Sequence, residues 1–406
     1  MEATLTLYVD SLVECGAASS ESVEQALRKV RRHRFVNGWY RLEATDFRAV
    51  FHPVDYDRDH PTSEQLEEIY SNKALITAVE GALPTSSTSQ PSLVACMLEL
   101  LALRPGMRVL EIGTGTGYNA ALLAEIVGSS GYVYTVEFQE DVAERASDHL
   151  REEGYTDVRV FCRDGYLGVP EAAPFDRIVA TVGCSDISPH WIEQLKPDGA
   201  MLIPIQRGHF DPLVEVRRDP EAPSCAVGQI VDRSAFMPIQ GEMGWVNPWR
   251  SLIARMPNSP LWSRPLPEGL SPLGEETSVY EDPRHRGFHF FLTLASRDLW
   301  FTPRGYGLAD LGTESALVVT AKSVEGFSAT GHEKSLETLH DRFLYLLDLW
   351  EQLGHVGPKD YALSFIPKTQ FPSVEDASDR TWVIERPFFW EIVRLPEVDR
   401  SSSDRG

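Results

Sequence analysis

The twelve residues from Val109 to Ala120, VLEIGTGTGYNA, constrain this chain more than any other stretch. RVLEIG reads as a short buried strand, and GYNAALLAEIVG as the helix that follows it. Gly113, Gly115 and Gly117 sit at the junction, where the backbone must turn tightly and let a ligand approach closely. Turns of this kind hold nucleotide-like ligands at the carboxyl edge of a parallel sheet. The spacing here is GxGxG, whereas a dinucleotide site calls for GxGxxG. Tyr118, directly after the last glycine, would crowd a pyrophosphate at the helix N-terminus. No Lys-Ser or Lys-Thr follows, so the pattern of a nucleoside triphosphate loop is missing.

The flanking sequence continues the alternation. PSLVACMLELL is a helix introduced by Pro91. After the glycine turn come strand YVYTVEF, helix EDVAERASDHLREEG, strands VRVFCRDG and FDRIVATVG, helix SPHWIEQ and strand AMLIPI. LVEVRR and QIVDRSAFMPI carry strands on to about residue 240. Strands and helices joined by short connections predict an α/β fold with a doubly wound parallel sheet.

Acids stand at the ends of three successive strands. Glu111 precedes the glycines, at the position that faces the ammonium and sulfonium charges in S-adenosylmethionine enzymes. Glu137 closes the second strand, where a carboxylate can accept both hydroxyls of a ribose, and Phe138 follows it. Asp164 and Gly165 close the third; the aspartate can take an adenine amino hydrogen, and the glycine can turn around the base. A strand-end acid and an Asp-Gly turn also have plainer structural readings. Taken together with Gly113, Thr114, Gly115 and Gly117, they predict S-adenosyl-L-methionine as cofactor, with S-adenosyl-L-homocysteine as product. The expected fold is then the Rossmann-like sheet of a class I methyltransferase.

The rest of the chain divides around this sheet. Residues 1–35 read as two helices, the second capped by Ser20, and 36–92 as mixed polar and turn sequence. After Gly241 the sequence turns rich in Pro, Trp and Ser and reads as an irregular connector. FHFFLTLAS, ALVVTAKS and YALSFIPK look like strands, and SLETLHDRFLYLLDLWEQLG is an amphipathic helix with Leu339, Phe343, Leu346, Leu347 and Trp350 on one face. The expectation is a methyltransferase domain over 1–245, a smaller α+β domain over 246–396, and a disordered tail over 397–406.

A net charge of -22 argues against a nucleic-acid partner, which needs basic clusters, and suits a basic peptide better. No apolar run is long enough for a membrane span. The five scattered cysteines form no CxxC, which predicts neither a metal site nor a disulfide framework, and a cytoplasmic location.

The acceptor is suggested by segments around the sheet. TSQP joined to GTGTGY, with RHRFV upstream, APFDRIVATVG in the middle and DRSAFMPIQG at the end, resembles the protein-L-isoaspartate O-methyltransferase family over roughly residues 5–241. The resemblance implies an enzyme that methylates a side-chain carboxylate in a peptide or protein. It implies Ser89 as the catalytic residue near the methyl-transfer centre, with Ser87, Thr88 and Gln90 lining the methyl-donor pocket. Ser89 could equally cap the helix that follows. A carboxylate is already ionised at neutral pH, so the reaction needs positioning more than a base.

Three departures from the family shape the expectation further. Asn72 in IYSNKAL stands where the family has Asp. The run between Leu75 and Ser89 is longer than the family's loop, and some 160 residues follow the matching region, where repair enzymes end. The pattern resembles a variant group with a C-terminal extension that acts on ribosomally made peptides such as lanthipeptides and graspetides. This implies a cyclised precursor peptide as partner and methylation of an aspartate that collapses to a succinimide (aspartimide) and then isoaspartate. The alternatives are repair of L-isoaspartyl residues in damaged proteins, and a non-catalytic protein that binds cofactor or peptide.

Overall fold

The computed structural model describes residues 2–44, 49–81, 83–207, 210–244, 252, 255–271, 281–296, 299–302, 304–370, 372 and 380–396. Two compact units emerge: one gathers Met1–Gln206, Leu213–Ala226 and Ser234–Trp245, the other Arg207–Pro212, Val227–Arg233 and the chain from Val246.

The first unit begins with α1 (Glu2–Glu14) and α2 (Glu21–Lys29). Ser20 caps α2 by accepting the Val23 N–H, and acids in its first turn with Arg28 and Lys29 in its last complement the helix dipole. Next come β1 (Gly38–Ala44), β2 (Ala49–Asp55), α3 (Ser63–Ile69), β3 (Leu75–Glu80) and β4 (Leu83–Thr88). The stretch read as mixed polar sequence thus contains a four-stranded sheet, ordered β2-β1-β3-β4. Its strands were hidden because polar residues such as Arg41, Glu43 and His52 lie on exposed positions and pair across or beside the strands.

The main sheet follows as read from the sequence. α4 (Pro91–Leu101) leads into β5 (Arg108–Ile112), α5 (Tyr118–Val127), β6 (Tyr132–Glu137), α6 (Glu140–Glu152), β7 (Arg159–Cys162), β8 (Phe175–Ala180), α7 (Pro189–Gln194), β9 (Leu195–Pro204) and β10 (Asp211–Arg218). Within this unit the strand order is β10-β9-β8-β5-β6-β7. β7, β6, β5, β8 and β9 run parallel, and β10 is antiparallel to β9. Val109, Leu110 and Ile112 of β5 are buried from both faces, as a central parallel strand requires. The reversal of strand order between β5 and β8 opens a crevice at the carboxyl edge, where the glycine turn sits.

The second unit includes most of β11 (Ala226–Ser234), then β12 (Trp262–Pro265), α8 (Pro283–Ala295), β13 (Leu299–Thr302), β14 (Gly305–Asp310), β15 (Ser315–Val319), β16 (Ser323–Ser328), α9 (Glu333–Gln352), β17 (Ala362–Pro367), β18 (Thr381–Glu385) and β19 (Phe389–Arg394). An antiparallel sheet runs β12-β16-β15-β14-β13, and a second set of strands runs β18-β19-β17-β11. The expected apolar face of α9 is buried, with Phe343 and Trp350 fully so, against Phe288, Phe291, Leu308 and Leu317.

Two expectations fail here. FHFFLTLAS is helix α8, not a strand. Asp282 caps its N-terminus by accepting the Arg284 and His285 N–H groups, and Pro283 occupies the first turn. Phe288, Phe290, Phe291 and Leu292 are all buried, so the helix is apolar on every side and shows no period to the eye. Within the expected connector, β12 pairs with β16, while residues 245–251, 253–254 and 272–280 lie outside the described residues. The tail expected over 397–406 also lies outside them. No described helix is long and apolar enough to cross a membrane.

The α8 cap can be tested directly. Asp282→Ala should destabilise the protein by about 1–2 kcal/mol in a denaturant melt, since two helix-terminal N–H groups lose their acceptor. An unchanged midpoint would contradict the cap's assigned role.

Candidate active site

The crevice holds an open cavity of ≈ 890 Å³, counting its mouth. Its walls come from β4 and the residues after it, the turn between β5 and α5, the end of β6, and the stretch from Phe236 to Gln240. Ser87, Thr88, Ser89, Glu111, Gly113, Thr114, Gly115, Glu137, Phe138 and Gly165, all expected in the site, line it. Gln90, Gly117 and Asp164 do not.

The glycine turn is shaped by two close approaches. Gly113 has φ +99°, and a Cβ there would come within 2.7 Å of Val182 Cγ1. Gly115 has φ +54°, and a Cβ there would stand 3.2 Å from the Ser87 carbonyl oxygen. The β4 main chain therefore runs directly over the turn. Gln139 holds it there by donating to the Thr85 carbonyl at 2.9 Å. Pairing with β3 places Thr88 opposite Leu75 and Ser87 opposite Ile76.

Glu137 ties turn and strand end together. Its carboxylate accepts the Gly115 N–H at 3.0 Å, the Phe138 N–H at 2.9 Å and the Gln139 N–H at 3.1 Å. Burial raises its pKa, against the lowering by these hydrogen bonds. An ionised carboxylate has about four lone-pair positions. Three N–H partners leave room for a hydroxyl from a bound ribose.

Glu111 is fully buried at the cavity floor. Thr135 Oγ1 donates to Glu111 Oε2 at 2.7 Å and Asn119 Nδ2 to Oε1 at 2.8 Å. Burial pushes its pKa up to about 7, despite these two donors. An acid so placed gains from a cation in the cavity above it.

Asp164 departs from its expected role. Its carboxylate accepts the Tyr166 N–H at 2.9 Å and the Glu242 N–H at 2.8 Å, and it packs against the Gly241 backbone. It caps the short turn Gly165–Leu167 and anchors the Gly241 turn. Gly165, beside it, does reach the cavity. The Asp-Gly pair looks alike in sequence whether it caps a turn or meets a base. Gln90 is exposed, with its amide directed to Ser92, and precedes α4. Gly117 packs under α6, where a Cβ would meet the Ala146 carbonyl oxygen at 3.3 Å.

Two residues that sequence reasoning left without a role hold this segment. Arg32 is fully buried and donates to the carbonyls of Thr88 and Ser89, among others. Asn72 accepts the Ser92 N–H of α4 at 2.9 Å. The Asn that departs from the family's Asp therefore serves as a helix cap, a task either side chain performs. Ser89 lines the cavity, and no described residue hydrogen-bonds to its hydroxyl.

The comparisons with known proteins bear on this geometry. The family model described as protein-L-isoaspartate(D-aspartate) O-methyltransferase matches residues 6–244, more than half of the chain. The chain belongs to this family. The protein-L-isoaspartate O-methyltransferase of Methanosarcina mazei is 34% identical over 234 residues, covering 57% of this chain and 81% of that one. That of Pyrococcus horikoshii is 35% identical over 240 residues, covering 58% and 93%. A solved structure of a protein-L-isoaspartate O-methyltransferase aligns with TM-score 0.52 and 24% identity, over 90% of this chain and 96% of that one; this is a likeness of fold. The protein is a methyltransferase of class I fold whose cofactor is S-adenosyl-L-methionine. The lining fits that ligand in kind: a buried carboxylate that a cation would stabilise, a strand-end carboxylate with an acceptor position to spare, and glycines that admit close backbone approach.

Two measurements probe the donor side. Glu137→Ala should weaken S-adenosylhomocysteine binding by about 1–3 kcal/mol in calorimetry, and unchanged affinity would contradict its role. The second concerns pH. Burial raises the Glu111 value from 4.5 to about 7, so folding favours its protonated form, and that stability is lost as pH rises through about 7. A cationic ligand favours the ionised form instead. S-adenosylmethionine should therefore bind more tightly as pH climbs through about 7, and Glu111→Gln should flatten both trends. Affinity that stays level from mildly acidic to mildly alkaline buffer would contradict this.

Proposed function

We propose that this protein methylates the free carboxylate of L-isoaspartyl residues in proteins and peptides. The observation that carries this reading is the passage of the Ser87–Ser89 segment over the glycine turn, which sets the Ser89 hydroxyl on the cavity wall. Family membership supports it, and relatives named for isoaspartate share more than a third of the matched residues over most of their length.

When bound, S-adenosylmethionine supplies a methyl group on a positively charged sulfur. The acceptor carboxylate oxygen forms the new bond to the methyl carbon as the carbon–sulfur bond breaks and its electron pair stays on sulfur. Two opposite charges vanish and no proton moves. The protein's work is thus to align the two reactants and to exclude water. Glu111 and Glu137 hold the donor; Ser89 orients the carboxylate by donating its hydroxyl hydrogen; Phe138, which is 46% exposed, offers a ring face at the mouth. The ester product then closes on the next backbone nitrogen, methanol leaves, and the succinimide hydrolyses to a mixture of aspartate and isoaspartate.

A second reading keeps the chemistry and changes the acceptor. An aspartyl side chain in a cyclised ribosomal precursor, of lanthipeptide or graspetide type, would give aspartimide by the same steps. One observation favours it: the run that is longer than the family's loop pairs as two strands, β3 with β4, and Leu83 at the start of β4 is exposed. The C-terminal residues do not favour it. A solved chain named for isoaspartate shares the fold over 90% of this one, so a fold of this extent also occurs under that name.

Turnover on matched acceptors separates the readings. A short linear isoaspartyl peptide should be methylated well, and its aspartyl counterpart at least tenfold more slowly, from one lost positioning interaction of about 1.4 kcal/mol. Robust turnover of a cyclised aspartyl precursor, with none on the linear isoaspartyl peptide, would overturn the first reading in favour of the second.

A further inference from the structure

Arg32 opens the short turn Arg32–Phe35 and is fully buried. Among the described residues no carboxylate pairs with it; its partners are main-chain carbonyls. Nη1 donates to Ile69 at 2.8 Å and Ser71 at 3.3 Å, and Nη2 to Lys73 at 3.0 Å, Thr88 at 3.4 Å and Ser89 at 2.9 Å. The first three acceptors close α3 and the turn behind it. The other two belong to the segment on the donor cavity. One rigid, planar fork thus joins two stretches of chain that are also linked through the β3–β4 pairing and through Asn72, which accepts the Ser92 N–H.

Burying a cation without a counter-ion costs several kcal/mol even after relaxation. Carbonyl oxygens recover part of that cost, since hydrogen bonds from a charged donor are stronger than those between neutral groups. A core need alone is met more cheaply by an apolar side chain of similar volume. What the guanidinium adds is geometry: coplanar donors fix where the Thr88 and Ser89 carbonyls stand. Alignment within about 1 Å is what this reaction depends on.

The geometry points to Arg32 as a positioning residue for methyl transfer. By fixing the main chain at Thr88 and Ser89 it sets the Ser89 hydroxyl, and the carboxylate held there, in line with the donor methyl. This rests on the Ser89 role proposed above. It touches neither reactant.

The test uses the full chain with an isoaspartyl peptide and saturating S-adenosylmethionine. Arg32→Lys keeps the charge and loses the fork; Arg32→Met fills the volume and loses both. Each should lower kcat roughly 10- to 100-fold. Donor affinity should move little by comparison, and the melting midpoint should fall without loss of the fold, because main-chain carbonyls lose their donor. Ser89→Ala should lower kcat too, and the double variant Arg32→Lys/Ser89→Ala should be no slower than the poorer single one, because both act through one hydroxyl. Multiplying effects, or a folded Arg32→Met protein with normal kcat, would overturn the inference. Failure of both Arg32 variants to fold would assign the residue to stability and overturn it as well. If Ser89→Ala alone leaves kcat intact, the Ser89 role fails, whatever the Arg32 variants show.

Discussion

The main chain of Ser87 passes so close over Gly115, itself in the left-handed region at φ +54°, that a Cβ there would stand only 3.2 Å from the Ser87 carbonyl oxygen. Much of the site follows from that contact. Gly115 suits the turn because β4 lies on it, while Val182 crowds Gly113 and α6 crowds Gly117, and β4 can lie there because its own edges are held. β3 holds one edge, Gln139 reaches up to the Thr85 carbonyl, and Arg32 grips the far end at Thr88 and Ser89. Glu137 binds the turn to the end of β6 through three N–H groups. Local choices agree with one another here, as expected of a segment that must hold a fixed geometry.

The electrostatics follow the same logic. Two carboxylates, Glu111 and Glu137, are buried beside the cavity, and burial raises the pKa of both. An empty cavity makes that placement costly. A ligand with a sulfonium and an ammonium offsets the cost, so affinity for the donor is stored as strain in the free protein. The reaction removes the sulfonium charge and leaves the ammonium in place.

The parallel core was legible because its strands are short apolar runs that end in Gly or acid, and Pro, Gly or Ser marks several of the helix ends. Ten of the thirteen expected site residues reach the cavity for the same reason: the carboxyl edge of a doubly wound sheet fixes where strand ends point. Asp164 misled because an Asp-Gly pair caps a turn as readily as it meets a base. α8 misled because a helix buried on all sides shows no period, and the cue lay in Asp282 and Pro283 before it. Arg32 stands in RHRFV, one of the segments that carry the family resemblance, but nothing in that segment tells its partners. Its partners are backbone carbonyls from residues 69 to 89, and only the fold brings them together.

The account's central claim is that the cavity delivers a methyl group to a carboxylate, not to a nitrogen. Mass spectrometry of an isoaspartyl peptide incubated with the protein and S-adenosylmethionine carrying a deuterated methyl group tests it most directly. The label should sit on the free α-carboxyl of the isoaspartyl residue and leave as deuterated methanol in mild base. A label that survives base on a nitrogen, or no label on any acceptor carboxylate while the donor binds, would contradict it.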